Sequence, residues 1–169
     1  MPSHEELPKT HRALLLTSTS QPPEIKTLPT PQPGPGNAVV RVEVANIISY
    51  SKFIYNGARK YPFPLPFVIG TSGLGRVVVV GPDSVLLKPG QLVFVDCFIR
   101  GRDNPEAGFL FGVHEGHNEG SKMLMRGEWR DATYAEYAKV PLENCHPLNE
   151  ALLKDKFGYT NDDLQDISR

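Results

Sequence analysis

Four hydroxyl side chains lie close together in residues 45–57, which read ANIISYSKFIYNG. They are Ser49, Tyr50, Ser51 and Tyr55. A tyrosine hydroxyl in a cleft can donate a proton or orient the carbonyl oxygen of a substrate. It can equally belong to an amphipathic core residue whose hydroxyl bonds to a backbone group. The pattern marks these four residues as candidate catalytic or substrate-orienting groups and leaves the core alternative open.

Side chains that ligate metals occur in two short groups. His114, Glu115 and His117 fall within four residues, and His146 directly follows Cys145. Zinc is held by three or four such side chains, and neither group has a matching pair elsewhere in the sequence. We therefore expect a solvated loop at the first group and no metal centre at either.

The glycine-rich stretch at 70–75, GTSGLG, could in principle contact a phosphate. A dinucleotide fingerprint needs Gly-x-Gly-x-x-Gly after a strand and at the start of a helix. Here Val78 stands where the third glycine should be, and it lies within a run of four valines. We predict a turn in which glycine lets two backbones approach closely.

Composition narrows the class of protein. The 169 residues include 18 Lys and Arg against 19 Asp and Glu, so no basic surface suggests nucleic-acid binding. No apolar run has the length of a signal peptide's apolar region or of a membrane span. Cys97 and Cys145 are too few for a disulfide scaffold and read as buried free thiols in a reducing compartment. We expect a cytoplasmic protein that binds neither nucleic acid nor membranes.

The elements that must position these residues are predicted to be mainly strands. The 15 glycines and 16 prolines argue against a helix bundle and for a turn-rich β domain. Apolar or alternating runs predict strands at 12–17, 38–44, 91–99 and 132–140, with a further β-branched run within 68–81. Helices are predicted at 150–157 and 162–167, and 100–128, with six glycines, as a long surface loop.

The order of three segments resembles one protein family. Residues 29–47 (PTPQPGPGNAVVRVEVANI), 65–93 (LPFVIGTSGLGRVVVVGPDSVLLKPGQLV) and 130–141 (RDATYAEYAKVP) are similar to segments of the medium-chain dehydrogenase/reductases. The resemblance covers roughly 12–150. It implies a GroES-like domain, a mainly β (α+β), partly open barrel with a few short helices. In the family a Rossmann domain that carries a nicotinamide cofactor normally follows.

Departures from the family pattern concern zinc. Zinc alcohol dehydrogenases have a ligand cysteine where this chain has Ser49 or Ile48, and a Gly-His-Glu turn where it has Gly70-Thr71-Ser72. The structural-zinc lobe would fall within 97–125, which holds one cysteine, Cys97. The resemblance therefore implies the zinc-independent branch, similar to quinone oxidoreductases and enoyl reductases, with neither catalytic nor structural zinc.

In that branch, hydride passes directly from NADPH to a polarised C=C or C=O bond. The resemblance implies a small-molecule substrate, NADP or NAD as the cofactor, and a homodimer as one option for the full-length form. The implied catalytic or orienting residues are Tyr50, Tyr55, Ser49 and Ser51, and the implied cofactor-facing residues are Thr71 and Ser72.

The predicted organisation leaves the chain without a cofactor domain. Residues 1–11 form a loose lead, 12–150 the GroES-like domain with 100–128 as its long loop, and 151–169 a linker or first helix toward a missing Rossmann domain, or toward a partner chain that supplies it. Nothing after residue 150 supplies a βαβ unit with Gly-x-Gly-x-x-Gly, so we expect the chain alone to be inactive. Two functions stay open, namely the substrate-side domain of an NAD(P)H-dependent oxidoreductase and a GroES-like module that binds without redox chemistry.

Overall fold

A computed structural model describes residues 6–166, and they form a mainly β fold with short helices, as predicted. The strands are β1 (Thr10–Leu16), β2 (Glu24–Pro29), β3 (Asn37–Ala45), β4 (Phe67–Val68), β5 (Gly73–Val80), β6 (Leu92–Val95), β7 (Phe98–Arg100), β8 (Gly108–Leu110), β9 (Tyr137–Pro141) and β10 (Cys145–Pro147). The helices are α1 (Ser51–Tyr55), α2 (Glu119–Arg126) and α3 (Asn161–Asp166), with a 3-10 turn at Leu142–Asn144 and a π-helical turn at Ala151–Lys156. Within these residues no helix is both long enough and apolar enough to cross a membrane.

A five-stranded sheet, in the order β10-β6-β5-β3-β9, forms the main layer. Every pair in it is antiparallel, and β3 pairs with both β5 and β9. The alternation of β3 predicts one buried face, but Ala38, Val39 and Val40 are all buried, because side chains cover both faces at its start. Two register shifts with β5 locally disrupt the ladder and bend the sheet.

A three-stranded sheet, in the order β2-β1-β4, lies beside the first one. A bridge between Ala13 and Ala135 and a hydrogen bond from Leu14 N–H to the Tyr134 carbonyl (2.8 Å) join β1 to the segment that leads into β9. β1 begins at Thr10, and His11 is buried. The predicted lead at 1–11 is therefore too long at its C-terminal end, and its residues 1–5 lie outside the described part of the chain.

The glycine-rich stretch 70–75 is divided between the turn before β5, as predicted, and the first three residues of β5 itself. β5 begins at Gly73, and a Cβ atom there would lie 2.8 Å from the Val44 carbonyl oxygen. A Cβ at Gly75 would lie 2.4 Å from a methyl carbon of Val40. Close approach is the predicted reason for these glycines, but the neighbouring backbone belongs to β3 within the sheet.

The prediction of a long surface loop at 100–128 is wrong. It contains β8 and α2 and the end of β7. Its apolar side chains pack on Leu16 and α1 in one buried cluster, to which it contributes Phe109, Phe111, Val113 and Met125. The glycine count suggested a loop, but Gly112 and Gly116 have positive φ angles in tight turns that connect these elements.

The C-terminal segment folds back on the five-stranded sheet. Leu164 of α3 is buried against Leu74 and Leu92, and the Arg76 guanidinium forms a bidentate ion pair with Glu150 (2.8 and 3.0 Å). The helices predicted at 150–157 and 162–167 correspond to the π-helical turn and to α3, whereas residues 167–169 lie outside the described range. How this segment would join a further domain stays a prediction.

Candidate functional site

The short helix α1 separates the four predicted hydroxyls into different environments. Tyr50 lies directly before its first residue, Ser51, and both Ser49 and Tyr50 are exposed. The guanidinium carbon of Arg59 lies 4.2 Å from the Tyr50 ring centroid, a cation–π contact. Ser49 and Tyr50 therefore lie at the surface.

Ser51 turns inward, toward a group of buried polar residues. Its side-chain oxygen is buried and has no hydrogen-bond partner in the structure, although it lies beside the phenol of Tyr134. The Tyr134 hydroxyl donates to the backbone carbonyl of Asn46 (2.6 Å), which also accepts from the Thr71 hydroxyl (2.9 Å). The hydroxyls of Ser51, Thr71 and Tyr134 thus gather around the residues between β3 and α1.

Thr71 and Ser72 lie in the buried turn that precedes β5. The Thr133 hydroxyl donates to the Thr71 carbonyl (2.7 Å) and accepts from the Thr71 N–H (3.1 Å). Ser72 is buried beside the thiol of Cys97, which lies between β6 and β7 and not inside a strand as predicted. We call Ser51, Thr71, Ser72, Thr133 and Tyr134 the hydroxyl cluster.

Burial controls protonation in and beside this cluster. It raises the pKa of Tyr134, and the neighbouring hydroxyls of Ser51 and Thr71 offset part of that rise. Burial also raises the pKa of the Cys97 thiol, an effect that its contact with Ser72 partly offsets. At neutral pH the phenol and the thiol both keep their protons, so the cluster offers neutral hydrogen-bond donors.

Tyr55 is a core residue whose hydroxyl bonds to backbone groups, which is the alternative that the sequence left open. It is buried, and its hydroxyl lies 3.2 Å from both the N–H and the carbonyl oxygen of Gly70, and 3.1 Å from the Gly112 carbonyl. Burial raises the pKa of its phenol above the ordinary value. These backbone contacts engage the hydroxyl, so Tyr55 stands apart from the hydroxyl cluster.

An apolar cavity of about 330 Å³ opens beside the cluster. Thr133 and Tyr134 supply its polar edge, and Ile47, whose side chain is 71% exposed, lies at its rim. The remaining lining comes from Leu14, Val42, Ala45 and Ala135. Such a cavity can hold a small apolar molecule while a few polar groups fix its orientation.

The side chains at the positions where zinc alcohol dehydrogenases have zinc ligands do not suit a metal ion. Among residues 6–166, no group of three or more His, Cys, Asp or Glu side chains lies close enough to hold a metal ion. Ser49, Thr71 and Ser72 offer neutral hydroxyls, whereas zinc sites use thiolate, imidazole and carboxylate ligands. These residues do not fit a zinc ion.

Sequence reasoning missed Thr133 and Tyr134 as site residues. Both belong to the segment RDATYAEYAKVP, which indicated a strand and the family resemblance but no site residue. The available signal was a polar pair flanked by the small residues Ala132 and Ala135. Their importance depends on contacts with Asn46 and Thr71, which lie more than 60 residues earlier in the chain.

The antiparallel sheets and the buried turn before β5 are typical of one class of protein domain, the GroES-like domain found in alcohol dehydrogenases. Residues 34–150 match the family model of the alcohol dehydrogenase GroES-like domain. The chain belongs to this family, and its predicted fold class is thereby confirmed.

Similar proteins are longer than this chain. An L-threonine 3-dehydrogenase of Anaeromyxobacter dehalogenans is 26% identical over 140 residues, which cover 78% of this chain and 39% of that protein. The chain therefore spans about two fifths of the length of this relative.

Solved structures share the fold. A thermostable alcohol dehydrogenase from Pyrobaculum aerophilum superposes with a TM-score of 0.68 at 21% identity and covers 94% of this chain and 44% of its own. A structure of a Pyrobaculum aerophilum thermostable alcohol dehydrogenase with cobalt and zinc bound also matches, with a TM-score of 0.60 at 23% identity, covering 83% of this chain and 41% of that one. A crotonyl-CoA carboxylase/reductase in complex with NADP has a TM-score of 0.62 at 20% identity, over 87% of this chain and 39% of that one.

Proposed function

We propose that this chain is the substrate-side domain of an NAD(P)H-dependent oxidoreductase that transfers hydride to or from a small substrate without zinc. The observation that carries the proposal is the buried Ser51 hydroxyl, which faces the Tyr134 phenol without a hydrogen bond of good geometry. A buried polar group without a partner costs free energy. Ser51 does not itself line the cavity, so the proposal requires a bound carbonyl oxygen to reach past the Tyr134 phenol, where it would accept the Ser51 hydrogen bond and remove that cost.

Each hydroxyl then has a proposed role. Ser51 donates to the substrate oxygen, while Tyr134, whose hydroxyl proton goes to the Asn46 carbonyl, forms the polar edge of the cavity. Ser49 and Tyr50 orient the substrate at the exposed rim. Tyr55 is left out of the proposed site because its hydroxyl is engaged by backbone groups.

The cofactor is proposed from the family. A nicotinamide cofactor supplies or accepts the hydride when bound. Thr71 and Ser72 are the residues of this chain proposed to face it, through the turn before β5. Because the relatives are longer than this chain, the remaining cofactor contacts are assigned to a Rossmann domain outside residues 6–166. We likewise propose a homodimer and a cytoplasmic location for the full-length form.

The absence of zinc is proposed from the donor types. Hydroxyls take the places where the family pattern has cysteine, histidine and glutamate ligands, so polarisation of the carbonyl is assigned to hydrogen bonds. Elemental analysis of the purified chain, before and after dialysis against EDTA, should find no stoichiometric zinc. One zinc per chain that survives dialysis would overturn this part of the proposal.

Binding of a small enone tests the site. We expect 2-cyclohexen-1-one, titrated into the ¹⁵N-labelled chain, to shift the amide resonances of Ile47, Thr133 and Tyr134. Ser51→Ala should weaken this binding, whereas Ser18→Ala, in the loop after β1, should leave it unchanged. Shifts confined to other regions, or equal binding by Ser51→Ala, would contradict the proposed site.

Turnover tests the chemistry once the domain is expressed together with its cofactor domain. Removing one positioned donor to a developing oxyanion commonly costs about a hundredfold in kcat. We expect a loss of that order for Ser51→Ala, and a smaller loss for Tyr50→Phe, in NADPH consumption followed at 340 nm. An unchanged rate for Tyr50→Phe would remove Tyr50 from the site.

The non-enzymatic binding module stays as the second candidate. The observation in its favour is that the segment after residue 150 packs Leu164 against its own sheet. This reading predicts that the enone does not bind and that the cavity beside Tyr134 takes a ligand unrelated to hydride transfer. The NMR titration therefore separates the two functions.

A further inference from the structure

A second cavity, of about 430 Å³, lies beside the loop that carries the two neighbouring histidines. It shares no lining residue with the cavity beside Tyr134. Its side-chain lining consists of Tyr61, Phe98, Phe109, Leu110, His114 and His117. We call this cavity the histidine groove. Its volume lies within the range of about 300–1,000 Å³ that is usual for small-molecule sites.

His114 offers the groove a hydrogen-bond donor. Its Nδ1 accepts the Gly116 backbone N–H (2.9 Å), so the neutral ring carries its proton on Nε2. Burial and the neighbouring His117 both lower the pKa of His114, which keeps the ring neutral at pH 7. A protonated Nε2 cannot ligate a metal, so this arrangement favours a ligand with an acceptor atom.

The acidic residue of the motif lies outside the groove. Glu115 is buried and forms a bidentate ion pair with Arg126 at 2.8 Å for each bond. That pair ties the loop to α2. No carboxylate lines the groove, so an anionic ligand there would not meet a like charge.

Two arginines place positive charge against the aromatic walls. The guanidinium carbon of Arg100 lies 4.9 Å from the Phe98 ring centroid, and Arg59 donates to the Tyr61 hydroxyl at 3.2 Å. Neither arginine has a carboxylate partner in the described part of the chain. Phe98 is 41% exposed, so an aromatic surface remains open next to an unpaired charge.

We propose that the histidine groove binds a planar aromatic carboxylate. The aromatic ring would pack on Phe98 and Tyr61, and the carboxylate would accept from His114 and meet the Arg100 guanidinium. Hydrogen bonds in which one partner is ionised are stronger than neutral ones, and guanidinium matches carboxylate in geometry. The inference does not rest on the proposed oxidoreductase function, because it uses none of the hydroxyl cluster.

The probe is 1-naphthoate, titrated into the ¹⁵N-labelled 169-residue chain. We expect saturable shifts at the amides of Gly108, Gly116 and His117. Two related compounds separate the contributions, since 1-naphthalenemethanol lacks the charge and cyclohexanecarboxylate lacks the aromatic ring. Both should bind more weakly than 1-naphthoate. Equal binding of either one, or shifts outside the groove, would overturn the proposal.

Variants test the two donors. Arg100→Gln removes an exposed charge, and His114→Asn keeps an acceptor for the Gly116 N–H while removing the ring N–H. Each should weaken 1-naphthoate binding about tenfold, the loss expected for about 1.4 kcal/mol of a charge-assisted bond. His146→Asn is the matched control, because His146 is exposed and also lies against a phenylalanine, Phe94, at 6.2 Å.

The outcomes are distinct from those of the enone experiment. Ser51→Ala should bind 1-naphthoate as the unaltered chain does, whether or not it loses the enone. Affinities unchanged in both Arg100→Gln and His114→Asn would refute the groove as the binding site, even if naphthoate binds elsewhere.

Discussion

Tyr50 and Tyr55 are five residues apart, yet α1 places them in opposite environments. Tyr50 is 37% exposed under Arg59, whereas Tyr55 is 7% exposed and its hydroxyl meets the backbone at Gly70 and Gly112. Both satisfy the same sequence criterion, a hydroxyl between apolar residues. The residues that distinguish them lie 15 and 57 positions from Tyr55, beyond the reach of a local pattern.

Removal of the Tyr55 hydroxyl should destabilise the fold. In Tyr55→Phe the buried Gly70 N–H and the carbonyls that share the phenol lose their partner, which costs roughly 1–3 kcal/mol. Urea denaturation of the purified chain measures the free energy of unfolding. Tyr50→Phe is the control and should change it by less than about 0.5 kcal/mol, because its ring is at the surface. Equal stability of both variants would show that Tyr55 is not a structural bridge.

At the scale of elements, α2 shows what a glycine-rich composition conceals. The Asn118 side chain accepts from the Ser121 N–H (2.9 Å), and the Ser121 hydroxyl lies 3.3 Å from the Asn118 N–H, which closes a capping box. Asn is a favoured residue at helix N-caps, but Ser121 stands where the usual sequence signature has Glu or Gln. The prediction of a loop at 100–128 rested on its six glycines, which argue locally against regular structure.

Loss of this cap should weaken α2 and the core beneath it. Asn118→Ala leaves the Ser121 N–H without its acceptor, and substitutions of this kind cost about 1 kcal/mol. Thermal unfolding followed by circular dichroism measures the change. Lys122→Ala, which breaks a surface ion pair with Glu119 on the same helix, should cost less than about 0.5 kcal/mol. A cap variant no less stable than the Lys122 variant would contradict the role of Asn118.

The C-terminal segment should detach from the sheet at low pH. The Arg76 guanidinium and the Lys154 ammonium lower the pKa of Glu150 to about 2, from an ordinary value of 4.5. Because the folded-state pKa is depressed, this contribution is complete above 4.5 and is lost as the pH falls toward 2. The methyl resonances of Leu164, which α3 buries, report the docking.

Glu150→Gln separates this ion pair from general acid unfolding. In the variant, the low-pH change in the Leu164 resonances should already be present in part at neutral pH. Glu119→Gln removes a carboxylate whose pKa is also lowered, by Lys122, but it lies on α2 and should leave the Leu164 resonances unchanged. Identical pH profiles for Glu150→Gln and the unaltered chain would exclude Glu150 as the anchor.

At the scale of the molecule, the mainly β class and the order of the family segments were predictable, because alternation in β3 and prolines at 22–35 are local signals. The packing of 100–128 and the hydroxyl cluster were not. Ser51, Thr71 and Tyr134 come from three separate segments, and β3, α1 and β5 bring them together. Single-sequence patterns indicate which residues can do chemistry, whereas the sheet determines which of them meet.

Because Gly73 and Gly75 lie in a strand, we expect that they do not form a phosphate-binding turn. The dinucleotide-binding fingerprint places glycine-rich backbone at the start of a helix, but Gly73 and Gly75 lie in β5, where Cβ atoms would collide with Val44 and Val40. Every strand pair in residues 6–166 is antiparallel, so this part of the chain contains no βαβ unit with a phosphate-binding turn.

We therefore expect NADPH, titrated into the 169-residue chain, to show no saturable change in nicotinamide fluorescence. A version extended at its C-terminus by the cofactor domain of a family relative should show one. Gly75→Ala serves as a control for the role of the glycines, because it should destabilise the sheet and likewise show no saturable change with NADPH. Tight binding of NADPH by the unextended chain would mean that the turn before β5, with Thr71 and Ser72, forms a cofactor site by itself.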